Sequence, residues 1–551
     1  MGVNTKRFDS ASDMITFSRA SGGYGFTKVS YGSELVSNGD FSDGSTGWNL
    51  NPTAGTMEVV NGKLVATNAT AVGGQAFTNL LSGYAIGTPY EISFTVSDYV
   101  SGYVKLSVGN IYSEAVSSNG TFNFVIPYTV GLPRVYFNIA NTSLSIDNIS
   151  VKEVTYNSSD PSATLKLIYH PNDVPRIEYD LDGSAKGILV EGARTNSYKY
   201  SEDLSEYVWI GSSGTISSIN AITSPDGNST GNLVITGVND PFSRRQNGLG
   251  VDSTISFYAK AQEYSFVFAN NDNGAGWVCF DLATESIALG NNGFSGEMTA
   301  VGNGWYRCVA TFPMLIAGNN AHMAIGVREN FGGTYTASSA NGTSGAYIWG
   351  AQMEAGSFAT SYIKTENATA TRALDLAEIN VSNFINKSAG TFLATFNYSD
   401  PTNADNNYVF SGSSNARVFY NNAGNSVWQT YDGSAGTTFG DVDSGEVYKL
   451  AVAVKTDSNI STAKNGTIQT TRTVNTALMT SIEAYPLLAI GGASSSSSYQ
   501  KLNGHIKSIK YYPRRLTDAQ IQRLTQPIST PTLSLTFDGQ ATSFTEDSIH
   551  G

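Results

Sequence analysis

Apolar and polar residues alternate with period two along most of this chain, which predicts strands almost everywhere. Tyr90, Ile92, Phe94 and Val96 share one face of a run at 90–96, and Val104, Leu106 and Val108 share one face of a run at 103–108. Phe122, Phe124 and Ile126 repeat the pattern, as do Val135, Phe137 and Ile139. Further runs at 253–261, 346–356, 389–399 and 448–455 carry it toward the C-terminus. Asn-Gly pairs at 61–62, 119–120 and 465–466 supply hairpin turns. One helix is expected near the end. There Thr517 and Gln520 make a capping box, and Leu516 with Ile521 makes a hydrophobic staple. The predicted fold class is all-β, with tandem β-sandwich (jelly-roll) domains and one short C-terminal helix.

Breaks in the pattern divide the chain into a set of units. An N-terminal arm, residues 1–33, is expected to be irregular or a short hairpin and to serve attachment. A sandwich at 34–154 precedes a linker or hairpin at 155–195, and a second sandwich follows at 196–365. A connector at 366–387, a third sandwich at 388–527 and a polar tail at 528–551 complete the chain. Residues 34–154 open with SNGDF, pass through Trp48 and close with SIDNISV, which resembles the carbohydrate-binding jelly-roll modules. Residues 196–365 replay that plan with Trp209 in the place of Trp48. The stretch LNGHIKSIKYYPRRLTDAQIQRL resembles the close of laminin-G or concanavalin-like lectin domains. Two separated pieces, ITFSRA at 15–20 and PRIEYDLDGSAKGILVEGARTN at 175–196, together resemble a phrase of tailed-phage virion proteins. A short hairpin normally separates its halves, whereas here the first sandwich is inserted between them.

That resemblance implies a virion protein, a tail fibre or receptor-binding component that presents glycan-binding sandwiches to the host surface. Its partners would be a host cell-surface glycan and other virion proteins, in a homo-oligomer that is commonly a trimer in such fibres. A head-fibre or capsid-decoration protein is one alternative, and a polysaccharide depolymerase is another. The resemblance further implies that residues 1–33 face the virion while 388–527 make the distal host contact.

Composition narrows the field. There are 56 glycines, 30 tyrosines and 26 phenylalanines, with only 14% charged residues, as turn-rich antiparallel sheet proteins require. The net charge of −13, with no basic run, argues against a nucleic-acid partner. No apolar stretch is long enough for a transmembrane helix, so membrane insertion is not expected. The start, MGVNTKRFDS, lacks the apolar core of a secretory signal, and Lys6 stands where a myristoylation motif needs Ser or Thr. A virion protein assembled in the host cytoplasm fits these features. Cys279 and Cys308 are expected to be buried thiols, with a cross-strand disulfide as the alternative.

Catalytic constellations are sparse, and the expected answer is that the chain is not an enzyme. Residues 388–527 hold only Glu446 and Glu483, far apart, and no E-x-D-x-x-E string. The four histidines, His170, His322, His505 and His550, are scattered, so neither a zinc cluster nor a triad is suggested. The jelly-roll resemblance implies a structural calcium between the opening segment and the closing strand, held by Asn38, Asp40 and Asp147. Trp428, Tyr431 and Asp432 beside a Gly-rich turn form the candidate sugar contact, by stacking plus hydrogen bonds to hydroxyls. A core role for Trp428 is the competing reading. Trp48, Trp209, Trp277, Trp305 and Trp349 lie in module-defining strands or at their edges and are expected in cores.

Overall fold

The computed structural model describes residues 15–527 except 72–75, 79–87, 109–110, 114, 129–133, 157–159, 161–162, 212–213, 272–275, 291–292, 314–321, 331–338, 383, 399–406, 413–416, 423–426, 432–435, 442–446, 456–458, 474–477, 485–486 and 493–500. The architecture is all-β: antiparallel sheets packed as sandwiches, with two short helices among the described residues, Leu478–Ala484 and Asp518–Thr525. The second helix starts at the expected capping box, with the Thr517 hydroxyl accepting from the Gln520 amide and the Gln520 side chain accepting from the Thr517 amide. Leu516 and Ile521 pack together on Ala451, Ala453 and Ala463. No helix among the described residues is long and apolar enough to cross a membrane.

The first sandwich closes around its own core, in which Phe41, Trp48, Tyr90, Phe94, Val104, Phe137 and Ile146 are buried. Two runs read from the sequence as separate strands form one 20-residue strand, Pro89–Val108. The closing strand, Val135–Tyr156, runs for 22 residues beside it. Asp98 and Gly102 in the first strand, and Asn141 and Asn148 in the second, have positive φ. The register between the two strands shifts near Asn141 and Asn148, so bulges bend a ladder too long to stay flat. Asn61 and Gly62 both have positive φ between the paired residues Val60 and Lys63, as a type I′ hairpin demands.

The interrupted phrase is reunited in space. Strand Gly23–Tyr31 pairs with Thr164–His170 over the register Val29↔Thr164 to Gly23↔His170. Its far end also pairs with the tail of the long closing strand, Tyr31↔Val154. The inserted sandwich therefore leaves and re-enters at neighbouring strand ends.

The middle sandwich has two six-stranded sheets enclosing Tyr198, Trp209, Phe257, Phe280, Ile325 and Met353. Trp48 and Trp209 play the same part in their modules, each indole N–H donating to a backbone carbonyl of the opening turn, Asn38 O and Tyr200 O. Cys279 and Cys308 lie on strands of opposite sheets rather than on adjacent strands. Both are buried free thiols, and burial raises the Cys308 pKa well above its ordinary value, with Cys279 adding to the shift.

The last sandwich has two seven-stranded sheets, and it recruits strands from far upstream. Ile15–Ser18 and Leu376–Asn380 pair with each other at the edge of one sheet. Arg176–Tyr179 and Ala185–Val190 form the edge of the other, and Ile188 pairs with Ile506. The segments expected as an irregular arm, a linker and a connector thus supply edge strands. Sheet edges expose unpaired N–H and C=O groups, and Ile15, Phe17, Ile188 and Ile379 add apolar faces to the third core. Three- to six-residue strands carry too little alternation to be recognised without their partners. Ile15–Ser18, from the segment expected to be a separate attachment arm, is a strand of the sandwich expected to make the distal contact.

Candidate functional site

The candidate sugar contact of the third sandwich does not survive as a platform. Trp428 is completely buried, with Phe396, Tyr398 and Tyr448 edge-on to its ring at 4.8, 5.6 and 5.4 Å. Tyr431 is three positions along the same strand and so projects from the opposite face. There Arg417 lies over the rings of Tyr408, Tyr420 and Tyr431. Asp432 lies outside the described residues. Alternation within a five-residue strand is what separates the tryptophan from the tyrosine.

The calcium candidates are brought near one another but are occupied locally. The opening turn meets the closing strand where the Ile149 amide donates to Gly39 O at 2.9 Å. Asn38 donates to Gly44 O and Thr46 O, both at 2.9 Å, and accepts from the Asp43 amide at 3.1 Å. Asp40 accepts from the amide and hydroxyl of Ser42, and Asp147 accepts from the Asn148 amide. These bonds shape turns. Among the described residues no group of three or more His, Cys, Asp or Glu could hold a metal. Glu34 instead ties opening to closing. One carboxylate oxygen accepts from the amides of Leu35, Val36 and Val151, and the other from the Ser150 hydroxyl. Partial burial would raise the Glu34 pKa, but the bonds from Ser150 and the three amides hold it below the usual value. Its partners in the closing strand stand 116 and 117 positions away, so no local signal marks it.

The residues that carry the virion-protein resemblance form a buried charge network. Asp375 accepts from Arg19 at 3.0 Å on one oxygen and from Arg176 on the other. Glu191 accepts from Arg176 at 2.9 Å and from Arg372 at 3.3 Å. Ser361 donates to Glu191 through its amide and hydroxyl, the Glu191 amide donates to the Asp375 carboxylate, and the Asp375 amide donates to the Glu191 carbonyl. Glu178 joins the Phe26 amide to His505 at 2.7 Å, and its pKa is held down to about 2, burial being outweighed by His505 and hydrogen bonds. Burial also opposes ionisation of Glu191, yet Arg372, Arg176 and Ser361 hold its pKa far below the carboxylate range. Three arginines and their carboxylates from 19, 176–191 and 372–375 thereby lock strands from both ends of the chain. Buried pairs of this kind are costly to break, by about 3–5 kcal/mol when one partner is removed. They are closed to solvent, so the phrase marks a scaffold rather than a binding surface.

One surface that can receive a ligand is a cleft of about 1090 Å³ where the first and middle sandwiches meet beside the reunited strands. Hydrogen bonds fix its two sides. Asn123 bonds to Asn228 and Gly227, the Ser229 amide to Thr121 O, and Asn220 to Ser118. Tyr169 projects into it at 46% exposure, edge-on to Tyr24 at 5.4 Å, and Tyr112 is 58% exposed. Six carboxylates line the cleft against two lysines. Lys166 pairs with Glu91 and Lys364 with Glu202, each at 3.1 Å, and the Tyr362 hydroxyl donates to Glu202 at 2.9 Å. Partial desolvation, then Glu206, Tyr207, Glu366 and Asp203, raise the Tyr200 pKa. Flat apolar rings beside amides and carboxylates can stack on a sugar and bond its hydroxyls. Sequence reasoning missed this site because its lining runs from Tyr24 to Asn367 across three parts of the fold.

No protein-family model and no curated protein matches the chain. Among solved structures, it is similar to the N-terminal CBM22-1-CBM22-2 tandem domain from Paenibacillus barcinonensis Xyn10C, at 14% identity and a TM-score of 0.20, covering 59% of this chain and 97% of that one. It is also similar to Trypanosoma rangeli sialidase in complex with 2,3-difluorosialic acid, at 10% identity and a TM-score of 0.22, covering 86% of this chain and 83% of that one. Superpositions this loose carry no weight for function; the fold stands on its own sheets.

Proposed function

We propose that this protein is a non-catalytic glycan-binding adhesin of a phage virion, a tail-fibre or receptor-binding component. The observation that carries the binding reading is the open cleft with Tyr169 and Tyr112 on its walls and asparagines and carboxylates between them. The virion setting is supported by the reunited phrase, whose Arg19, Arg176 and Glu191 build the interior lock with Arg372 and Asp375. Each cleft would bind a host-surface glycan weakly, and several copies in a homo-oligomer, a trimer on the resemblance, would raise avidity. The carboxylates of the same cleft favour one second reading, a depolymerase, since paired carboxylates are the chemistry of glycoside hydrolysis.

Tyr169→Ala and Tyr112→Ala, measured on immobilised host polysaccharide, should each weaken binding roughly tenfold without moving the melting temperature. Polymer length should stay constant during incubation. Undiminished binding in both variants would refute the cleft as the site. Shortened polymer, abolished by replacing one cleft carboxylate, would establish the depolymerase.

A further inference from the structure

The balance of charge in the cleft identifies the class of sugar it would take. Its two lysines are already committed, Lys166 to Glu91 and Lys364 to Glu202. Asp203, Glu206, Asp226 and Glu366 remain as carboxylates without an ion pair among the described residues, so the cleft carries a net charge of −4 from its six acids and two bases. They are not equivalent. Asp226 accepts from Ser224 and from the amide and side chain of Asn228, which fixes the loop against the first sandwich. Asp203 accepts from Ser205 and caps its own turn. Glu206 and Glu366 have no such duty, and both act with Asp203 on the Tyr200 phenol, which itself lines the cleft. An aromatic ring in a cleft lined by carboxylates is a poor setting for an anion and a good one for an ammonium group, which gains both ring quadrupole and ion-pair attraction. The same cleft is lined by the side chains of Asn172 and Asn123 and the exposed ring of Tyr169, which suit hydroxyls and a sugar face.

We propose that the cleft recognises a glycan bearing free amino groups, a hexosamine chain lacking some of its N-acyl groups, and turns away uronate- or phosphate-rich polyanions. This rests on the cleft being the glycan site. Tyr169 stacks on a ring, and Glu206 and Glu366 pair with the ammonium of the same or the next residue.

The test uses the full chain and three oligosaccharides of equal length: a chitosan oligomer, its fully N-acetylated counterpart and a polyuronate. Binding is measured by calorimetry at low and at high salt. The chitosan oligomer should bind about tenfold more tightly than the N-acetylated one at low salt, with the ratio shrinking at high salt. The polyuronate should bind more weakly than either. Glu206→Gln combined with Glu366→Gln should erase the preference for chitosan, bringing its affinity down to that of the N-acetylated oligomer. Tyr169→Ala should weaken binding of both. If the double variant keeps the full preference, the attraction is to the acidic surface at large and the charge selection is overturned. If the wild type binds the N-acetylated oligomer or the polyuronate as tightly as chitosan, the class of sugar is wrong while the cleft remains the site. If no oligosaccharide responds to Tyr169→Ala, the cleft reading itself fails.

Discussion

Replacing His170 by phenylalanine should remove much of the acid sensitivity of this protein between pH 7 and pH 5. His170 ends the strand Thr164–His170, is buried, and stacks on Tyr156 at 5.4 Å with neither ring nitrogen hydrogen-bonded. Burial first, then Arg176 and Arg19, push its pKa down from 6.5 to about 3, while Glu178 and Asp375 act in the opposite sense. The unfolded chain takes up this proton near pH 6.5 and the folded one only near pH 3, so the unfolded state binds more protons between those values. The stability that depends on neutral His170 is therefore complete above 6.5 and is lost as pH falls toward 3. At roughly 1.4 kcal/mol per pH unit inside the window, the loss from pH 7 to pH 5 is about 2 kcal/mol. Glu178 and Glu191 are held below their ordinary 4.5, so their contribution is lost only at lower pH. Phenylalanine keeps the stack on Tyr156 and forfeits no hydrogen bond. Urea denaturation at pH 7 and pH 5, followed by tryptophan fluorescence, gives the comparison. The His170→Phe protein should lose about 2 kcal/mol less than the wild type. Parallel losses in the two proteins would refute the buried, neutral histidine.

Trp428→Ala should destabilise the third sandwich by about 3–5 kcal/mol, because a large ring is removed from among Phe396, Tyr398 and Tyr448. An unshifted melting temperature with lost glycan binding would return the tryptophan to a sugar site. Glu34→Ala should cost about 1–3 kcal/mol by orphaning the amides and hydroxyl it serves, and EDTA should leave the wild-type melting temperature unchanged. A fall in EDTA that calcium reverses would restore the ion at Asn38, Asp40 and Asp147. Truncation after residue 385 removes Leu487–Ile490 and Gly504–Tyr512, the partners of Leu376–Asn380 and Ala185–Val190. It should give aggregated protein by gel filtration rather than a competent shaft, and a monodisperse, cooperatively melting fragment would count against the shared sheets.

Much of the fold was written locally. The alternation of Tyr90, Ile92, Phe94 and Val96 needs only the two-residue pleat to predict a one-sided strand, and those residues are buried. The Asn61-Gly62 turn and the Thr517 capping box are likewise set by a few neighbouring residues, and both form. The equivalence of Trp48 and Trp209 was legible too, since each reaches a carbonyl only ten or nine residues back. What the sequence left open depends on partners far along the chain. Nothing near Ile15–Ser18 marks it as a strand, because its order comes from Leu376–Asn380. The same five-residue strand places Trp428 inside and Tyr431 outside, and only the opposing sheet shows which face is core. Arg19, Arg176 and Glu191 were visible as part of a phrase, but a buried guanidinium is tolerable only beside its carboxylate. That pairing, across as many as 356 positions, is a property of the tertiary structure. The cleft is the extreme case. Tyr24, Tyr112, Tyr169 and Glu206 have no shared pattern in the chain, and packing of two sandwiches against one strand pair gathers them.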